Sequence, residues 1–156
     1  MSDPIALSSR IRGYLTELER VVTRTKLLAE KALTSGDDGY WDGVALNLHG
    51  FYCGTERIFE DIARTMDGSI PSGSEWHISI LVQMSSAIVD RRPPVISSTL
   101  HQKLDEYRGF RHVVRNVYAF NFRPSRLNEL VTELSNCFSL LKQELYSFAD
   151  FLENLG

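Results

Sequence analysis

The sequence predicts an all-α protein, an antiparallel up-and-down bundle of four or five helices. Three observations predict it. Apolar residues recur at a spacing of three to four through long segments. No segment alternates with period two over the length of a strand. The breaks between periodic segments are short, so consecutive helices should lie antiparallel. With 156 residues, the chain reads as a single domain able to bury a real core.

The first helix is expected from about Asp3 to Ser35. Ile11, Leu15, Leu18, Val22 and Leu28 form its apolar stripe, with charged residues between them. Asp3 supplies an acceptor ahead of Pro4, and Ser35-Gly36 supplies a stop. The second helix is expected from about Asp38 to Met66, on Val44, Leu48, Phe51, Thr55, Ile58, Phe59, Ile62 and Met66. Gly39, Gly43, Gly50 and Gly54 interrupt it, each at a cost of up to ~1 kcal/mol against Ala. Such pairs four apart suit a helix packed close over this face, from the same chain or from a second subunit.

The run from Asp67 to Ser74 is dense in Gly, Ser and Pro and reads as a loop. Ser74 is a possible cap for a third helix from Glu75 to about Asp90, with Ile78, Leu81, Val82, Met84 and Ile88 as its apolar residues. Arg91-Arg92-Pro93-Pro94 ends it. Ser97 or Ser98 opens a fourth helix that runs to about Phe120. After the Arg123-Pro124-Ser125 turn, a fifth helix runs to about Leu155 on a wide stripe that includes Leu127, Leu130, Leu134, Cys137, Leu141 and Phe148.

Composition narrows the function classes. Hydrophobic residues make up 43% and charged residues 24%, ordinary for a soluble globular protein. No run approaches the ~18 apolar residues of a membrane span. The start lacks a basic region followed by an apolar run, so a secretory signal is not expected. Cys53 and Cys137 sit in apolar helical patterns and read as buried free thiols, which points to a reducing, cytoplasmic setting. His49 and Cys53 are four apart, as are Tyr52 and Glu56, but no CxxC, HExxH or ExxH is present, so neither a metal nor a cofactor is expected. No phosphate-cradling glycine loop and no GxSxG occurs.

One stretch stands out. Between Tyr107 and Asn128 lie five arginines, Arg108, Arg111, Arg115, Arg123 and Arg126, with no Asp or Glu among them, in a chain of net charge −3. On a helix, Phe110, Val113, Val114, Val117 and Phe120 share one face, and Arg108, Arg111, His112, Arg115, Asn116 and Tyr118 lie around the other. The bland reading is a solvated helix rich in a good helix former. The functional reading is a phosphate-binding surface, because guanidinium presents a planar fork of donors and stays charged. Tyr107, Tyr118 and Trp76 are then candidates to stack on bases of single-stranded RNA.

The run Arg111-His112-Val113-Val114-Arg115-Asn116-Val117-Tyr118 resembles the R-x4-H-x-Y motif of HepT-like toxins, members of the HEPN superfamily. Phe110-Arg111-His112, the run from Phe51 to Glu60, and Trp76-His77 resemble one branch of that family. The resemblance covers most of the chain. It implies a HEPN-like helical fold and a toxin that is a metal-independent endoribonuclease, working as a homodimer on tRNA or mRNA. It also implies a small MNT-type nucleotidyltransferase antitoxin, in a type VII module, that silences the toxin by attaching AMP to the motif tyrosine.

By the same resemblance Arg111 is the motif arginine and Tyr118 the motif tyrosine and adenylylation target. The motif histidine is replaced by Asn116, through a deliberate change or natural degeneration. Imidazole, with a pKa near ~6.5, exchanges a proton at neutral pH; a carboxamide does not. Loss of such a group is expected to lower the rate by about 10²–10⁴. Arg111 is assigned to the scissile phosphate, and Asn116 stands at the proton-transfer position. Tyr118 orients the substrate or this Asn. Arg108, Arg115, His112 and Arg123 are assigned to neighbouring RNA contacts. Positions 111 and 116 lie about 140° apart around one helix, which favours a second helix completing the site across a dimer. Two other readings are an inactive HEPN module that binds RNA or a nucleotide, and a helical interaction domain whose arginines meet an acidic protein.

Overall fold

The computed structural model describes residues 3–116 and 122–155, without the side chains of residues 115 and 116. Its described elements are five α-helices: α1 (Pro4–Ser35), α2 (Gly39–Ile62), α3 (Trp76–Met84), α4 (Ser98–Asn116) and α5 (Pro124–Glu153). The only β-pairing among the described residues is an isolated bridge between Ile88 and Arg92. The all-α expectation holds.

Helix α1 begins where its signals lie. The Asp3 side chain accepts from the Ile5 N–H at 2.9 Å, with Pro4 in the first turn. It ends at Gly36, left-handed at φ 72°, whose N–H closes on Ala32 O. Its apolar stripe, Leu7, Ile11, Leu15, Leu18 and Val22, is buried. Each fully buried side chain of this size contributes about 1.5–3 kcal/mol from burial.

Two glycines of α2 explain how closely it lies on α1. A Cβ at Gly54 would stand 2.7 Å from Leu18 Cδ2, and one at Gly43 would stand 3.1 Å from Leu28 Cδ1. The close neighbour is therefore intrachain, and the pairing of Leu28 with Gly43 and Leu18 with Gly54 makes the hairpin antiparallel. Gly50 meets nothing within 4 Å. Helix α5 returns along the other side of α1. Arg12 pairs with Asp150 and Glu153, both at 2.9 Å, and Lys142 with Glu19 at 3.1 Å. Phe51, at the centre of the bundle, packs edge-on against Tyr107 of α4 and Phe138 of α5.

Two expected boundaries move. Helix α2 ends at Ile62 and continues as a π-helical turn, Ala63–Asp67, closed by left-handed Gly68 at φ 67°. Helix α3, expected to reach Asp90, stops at Met84. Arg92 causes this stop: its guanidinium donates to Gln83 O (3.2 Å), Ser86 O (2.8 Å) and Pro93 O (3.0 Å). The N–H groups of Val95 and Ile96 donate to Met84 O. The carbonyls at the helix end are thus taken from outside the helix. Ser74 does not cap α3; Glu75 holds the cap position, with no side-chain cap bond. Ser97 does cap α4, accepting from the Leu100 N–H at 3.1 Å. The expected end of α4 near Phe120 falls outside the described residues. No helix among the described residues is long and apolar enough to cross a membrane.

Candidate active site around Arg111

The buried face of α4 is set by a longer stripe than the arginine stretch shows. Leu100, Leu104 and Tyr107 are all buried, and Arg111 continues their line at helical spacing. Arg111 is itself buried, at 9% exposure. The expectation that it lies on the open, polar side of the helix is corrected. Val113, expected in the core, is exposed, and Val114 is half-buried. Val117 and Phe120 lie outside the described residues.

Burying a guanidinium requires a counter-charge, and α2 supplies it. Glu56, also buried, brings Oε1 to 3.4 Å from Arg111 Nε. Its other oxygen, Oε2, lies 2.7 Å from His77 Nδ1. One carboxylate therefore joins α3 and α4, with the His77 imidazole on one edge and the Arg111 guanidinium on the other. An ionised carboxylate only accepts, so the Nδ1–H of His77 donates to it. The Trp76 ring lies over His77, with centroids 3.7 Å apart.

These groups open on a cavity of about 450 Å³, lined by Ser74, Glu75, His77, Ile78, Arg108, Arg111 and His112. Tyr52 lies behind it, fully buried. Burial first, and then the negative charge of Glu56, push its phenol well above the ordinary range, so it stays protonated. Tyr52 Oη and Arg111 Nε are buried without a hydrogen-bond partner among the described residues.

Of the residues singled out in the sequence, Arg108, Arg111 and His112 share this cavity. Arg123 does not. It is exposed ahead of α5, where it lines a separate cleft with Gly109, Phe110, Val113 and Arg126. Arg115 and Asn116 belong to α4, but their side chains lie outside the description, as does Tyr118 altogether.

The acid-free character of the stretch does not survive folding. Arg108 pairs with Asp105, and Arg126 with Glu106 at 2.9 Å and Glu129 at 3.3 Å. These carboxylates lie just outside the Tyr107–Asn128 window, one helical turn away or on the adjacent helix. Tyr107 is also corrected as a base-stacking residue. It is buried at 2% exposure, its hydroxyl donates to Leu130 O at 2.7 Å, and its ring packs on Phe51.

Glu56 and His77 were missed as site residues. The available signal was an acidic residue inside an otherwise apolar stripe of α2, next to Thr55 and Ile58, which demands a buried partner. The thiols differ as well. Cys137 is buried and its thiol is pushed up to about 12, by burial above all. Cys53 is only half-buried, with Sγ 3.6 Å from His49 Nε2.

A family model described as HepT-like protein matches residues 43–152. No curated protein and no solved structure matches the chain. The matched stretch runs from the start of α2 almost to the end of α5 and takes in Glu56, His77 and Arg111. The chain therefore belongs to the HepT-like family of the HEPN superfamily.

Proposed function

We propose that this protein is the toxin of a HEPN/MNT toxin–antitoxin pair, a metal-independent endoribonuclease acting on tRNA or mRNA as a homodimer. The observation that carries the reading is Arg111, buried at a cavity wall and held by Glu56, inside the stretch that the family model matches. A guanidinium fixed in place needs no reorganisation to receive a phosphate. The Glu56 contact engages its Nε edge, and guanidinium presents five donors in all.

In this reading Arg111 binds the scissile phosphate and stabilises charge that develops on it. Arg108, His112, Arg115 and Arg123 make the flanking contacts, so affinity should fall with salt. Tyr118 receives AMP from the antitoxin.

The test is cleavage of bulk tRNA and of an mRNA by the purified protein in EDTA, with Asn116→His beside the parent chain. Cleavage that Arg111→Ala abolishes is the expected result. A folded dimer of Asn116→His that leaves every RNA intact would overturn it. The second reading, an RNA-binding module without activity, is favoured by Asn116 alone. It would then stand if gel shifts show salt-dependent RNA binding that Arg111→Ala with Arg115→Ala weakens. A protein that stays monomeric at micromolar concentration in sedimentation would remove the dimer.

A further inference from the structure

We propose that His77 is a catalytic residue of this chain: its Nε2 takes the proton of the RNA 2′-hydroxyl while Arg111 holds the adjacent phosphate. The inference rests on the nuclease reading above and assigns the proton-transfer group that Asn116 cannot be.

Four observations carry it. His77 Nδ1 is 2.7 Å from Glu56 Oε2, so the carboxylate fixes the ring; when the imidazole is neutral and donates Nδ1–H to it, the basic nitrogen is Nε2. The second oxygen of that same carboxylate is 3.4 Å from Arg111 Nε, which sets imidazole and guanidinium on two edges of one anchor. His77 lines the cavity with Arg108, Arg111 and His112, and its side chain is 21% exposed, open enough to meet a substrate. Finally, Tyr52 Oη and Arg111 Nε are buried without a hydrogen-bond partner among the described residues. Buried polar atoms without partners are rare, and their clustering beside one carboxylate marks a site built for a ligand.

The step balances without a metal or a redox partner. The 2′-hydroxyl gives its proton to His77 Nε2, and its oxygen forms a bond to phosphorus. The bond from phosphorus to the 5′-oxygen breaks, and that oxygen takes a proton from water. The products are a 2′,3′-cyclic phosphate and a 5′-hydroxyl, and the imidazolium returns its proton to solvent. Glu56, paired with the ring, stabilises the imidazolium while it exists, as the carboxylate does in a carboxylate–imidazole dyad.

Two variants separate chemistry from scaffolding. His77→Ala removes the ring. His77→Asn keeps a donor near Nδ1 for Glu56 but has no proton to exchange. The probes are a labelled single-stranded oligoribonucleotide and bulk tRNA in EDTA, with cleavage rates read across pH. The groups around His77 are Glu56 from α2, Glu75 ahead of α3, and Arg108, Arg111 and His112 from α4. Among these His112 is the other imidazole, so His112→Ala is measured alongside.

The expected result is slow cleavage by the parent chain, leaving cyclic phosphate ends and slowing as pH falls through the imidazole range. Both His77 variants lose about 10²-fold or more per folded protein and lose that acid limb, while His77→Asn, which keeps a donor for Glu56, retains RNA binding and the parent unfolding transition. Cleavage by His77→Asn at the parent rate with the parent pH profile overturns the proposal and leaves the nuclease reading intact. So does a parent chain that is inert while Asn116→His cleaves. If neither cleaves, the nuclease reading falls and this inference with it.

Discussion

Two buried arginine–carboxylate pairs lie at opposite ends of α3, and they differ in how fully each is satisfied. Beyond the C-terminal end, Arg92 meets Asp67 through two hydrogen bonds of 2.7 and 2.8 Å, with side chains 0% and 2% exposed. Three backbone carbonyls and the Gln83 amide complete the set. At the N-terminal end, among the described residues, Arg111 meets Glu56 through one contact of 3.4 Å, its Nε makes no hydrogen bond, and the pair borders an open cavity. A guanidinium whose donors are all taken can only hold the fold. One that is fixed but under-satisfied keeps capacity for a phosphate. The difference separates an arginine that serves the fold alone from one with donors to spare more sharply than burial does, since both are buried.

The comparison can be broken at either end. The largest effect is expected from Arg92→Ala. It leaves Asp67 buried without its counter-charge and frees the carbonyls that end α3, and about 3–5 kcal/mol of stability should go with it in urea unfolding. RNA chemistry at the far end should follow only the folded fraction. If Arg92→Ala costs no more stability than Arg111→Ala, the two pairs are equivalent and the distinction fails.

Arg111→Ala should invert that pattern. The stability loss is expected to be the smaller of the two, because Glu56 keeps His77. RNA cleavage should drop by about 10²–10³, the range seen when one donor to a developing charge is removed. Rates corrected for folded protein are the measurement.

Glu56→Gln keeps the shape and removes the anchor's charge. Cleavage is expected to fall about 10²-fold through misplacement of the groups it holds, with less loss of RNA affinity than Arg111→Ala produces in a filter-binding titration. Equal losses in both variants would place Glu56 in the fold alone.

The smallest effect belongs to another buried carboxylate, Asp61 of α2. Burial tends to raise the pKa of Asp61, but hydrogen bonds from Arg10, Thr65 and Tyr14, together with the Arg10 charge, outweigh it and hold the carboxyl below its ordinary value. A depressed folded-state pKa means stability that is present above the unfolded value and is lost as pH falls through the folded one. The acid limb below about pH 4 should therefore shrink in Asp61→Asn. Arg10 is 42% exposed, so the gain at neutral pH is expected to be about 1 kcal/mol or less. Urea midpoints at pH 3 and pH 7 read it out.

The helices were legible because their signals are local. Asp3, Pro4 and Gly36 bracket α1 by cap and backbone chemistry that needs no neighbour. The early stop of α3 was not legible, since it comes from Arg92 reaching back onto carbonyls of Gln83 and Ser86. Arg111 was singled out as a candidate for a reason that folding half removed. The run of arginines without acids drew attention, yet Asp105, Glu106 and Glu129 neutralise much of it from just outside the run. A window opened at Leu100 instead of Arg108 would have placed Arg111 on the buried stripe.

By itself the sequence determined the helical class, the stripes that form the core, and the family, because periodicity, caps and motif are properties of residues near one another along the chain. Only the tertiary structure decided which charges are spent within the fold and which remain available. It brought Glu56, His77 and Arg111 from three helices to one carboxylate. A buried charge is satisfied by whatever lies beside it in space, and nothing in its own stretch of sequence records what that will be.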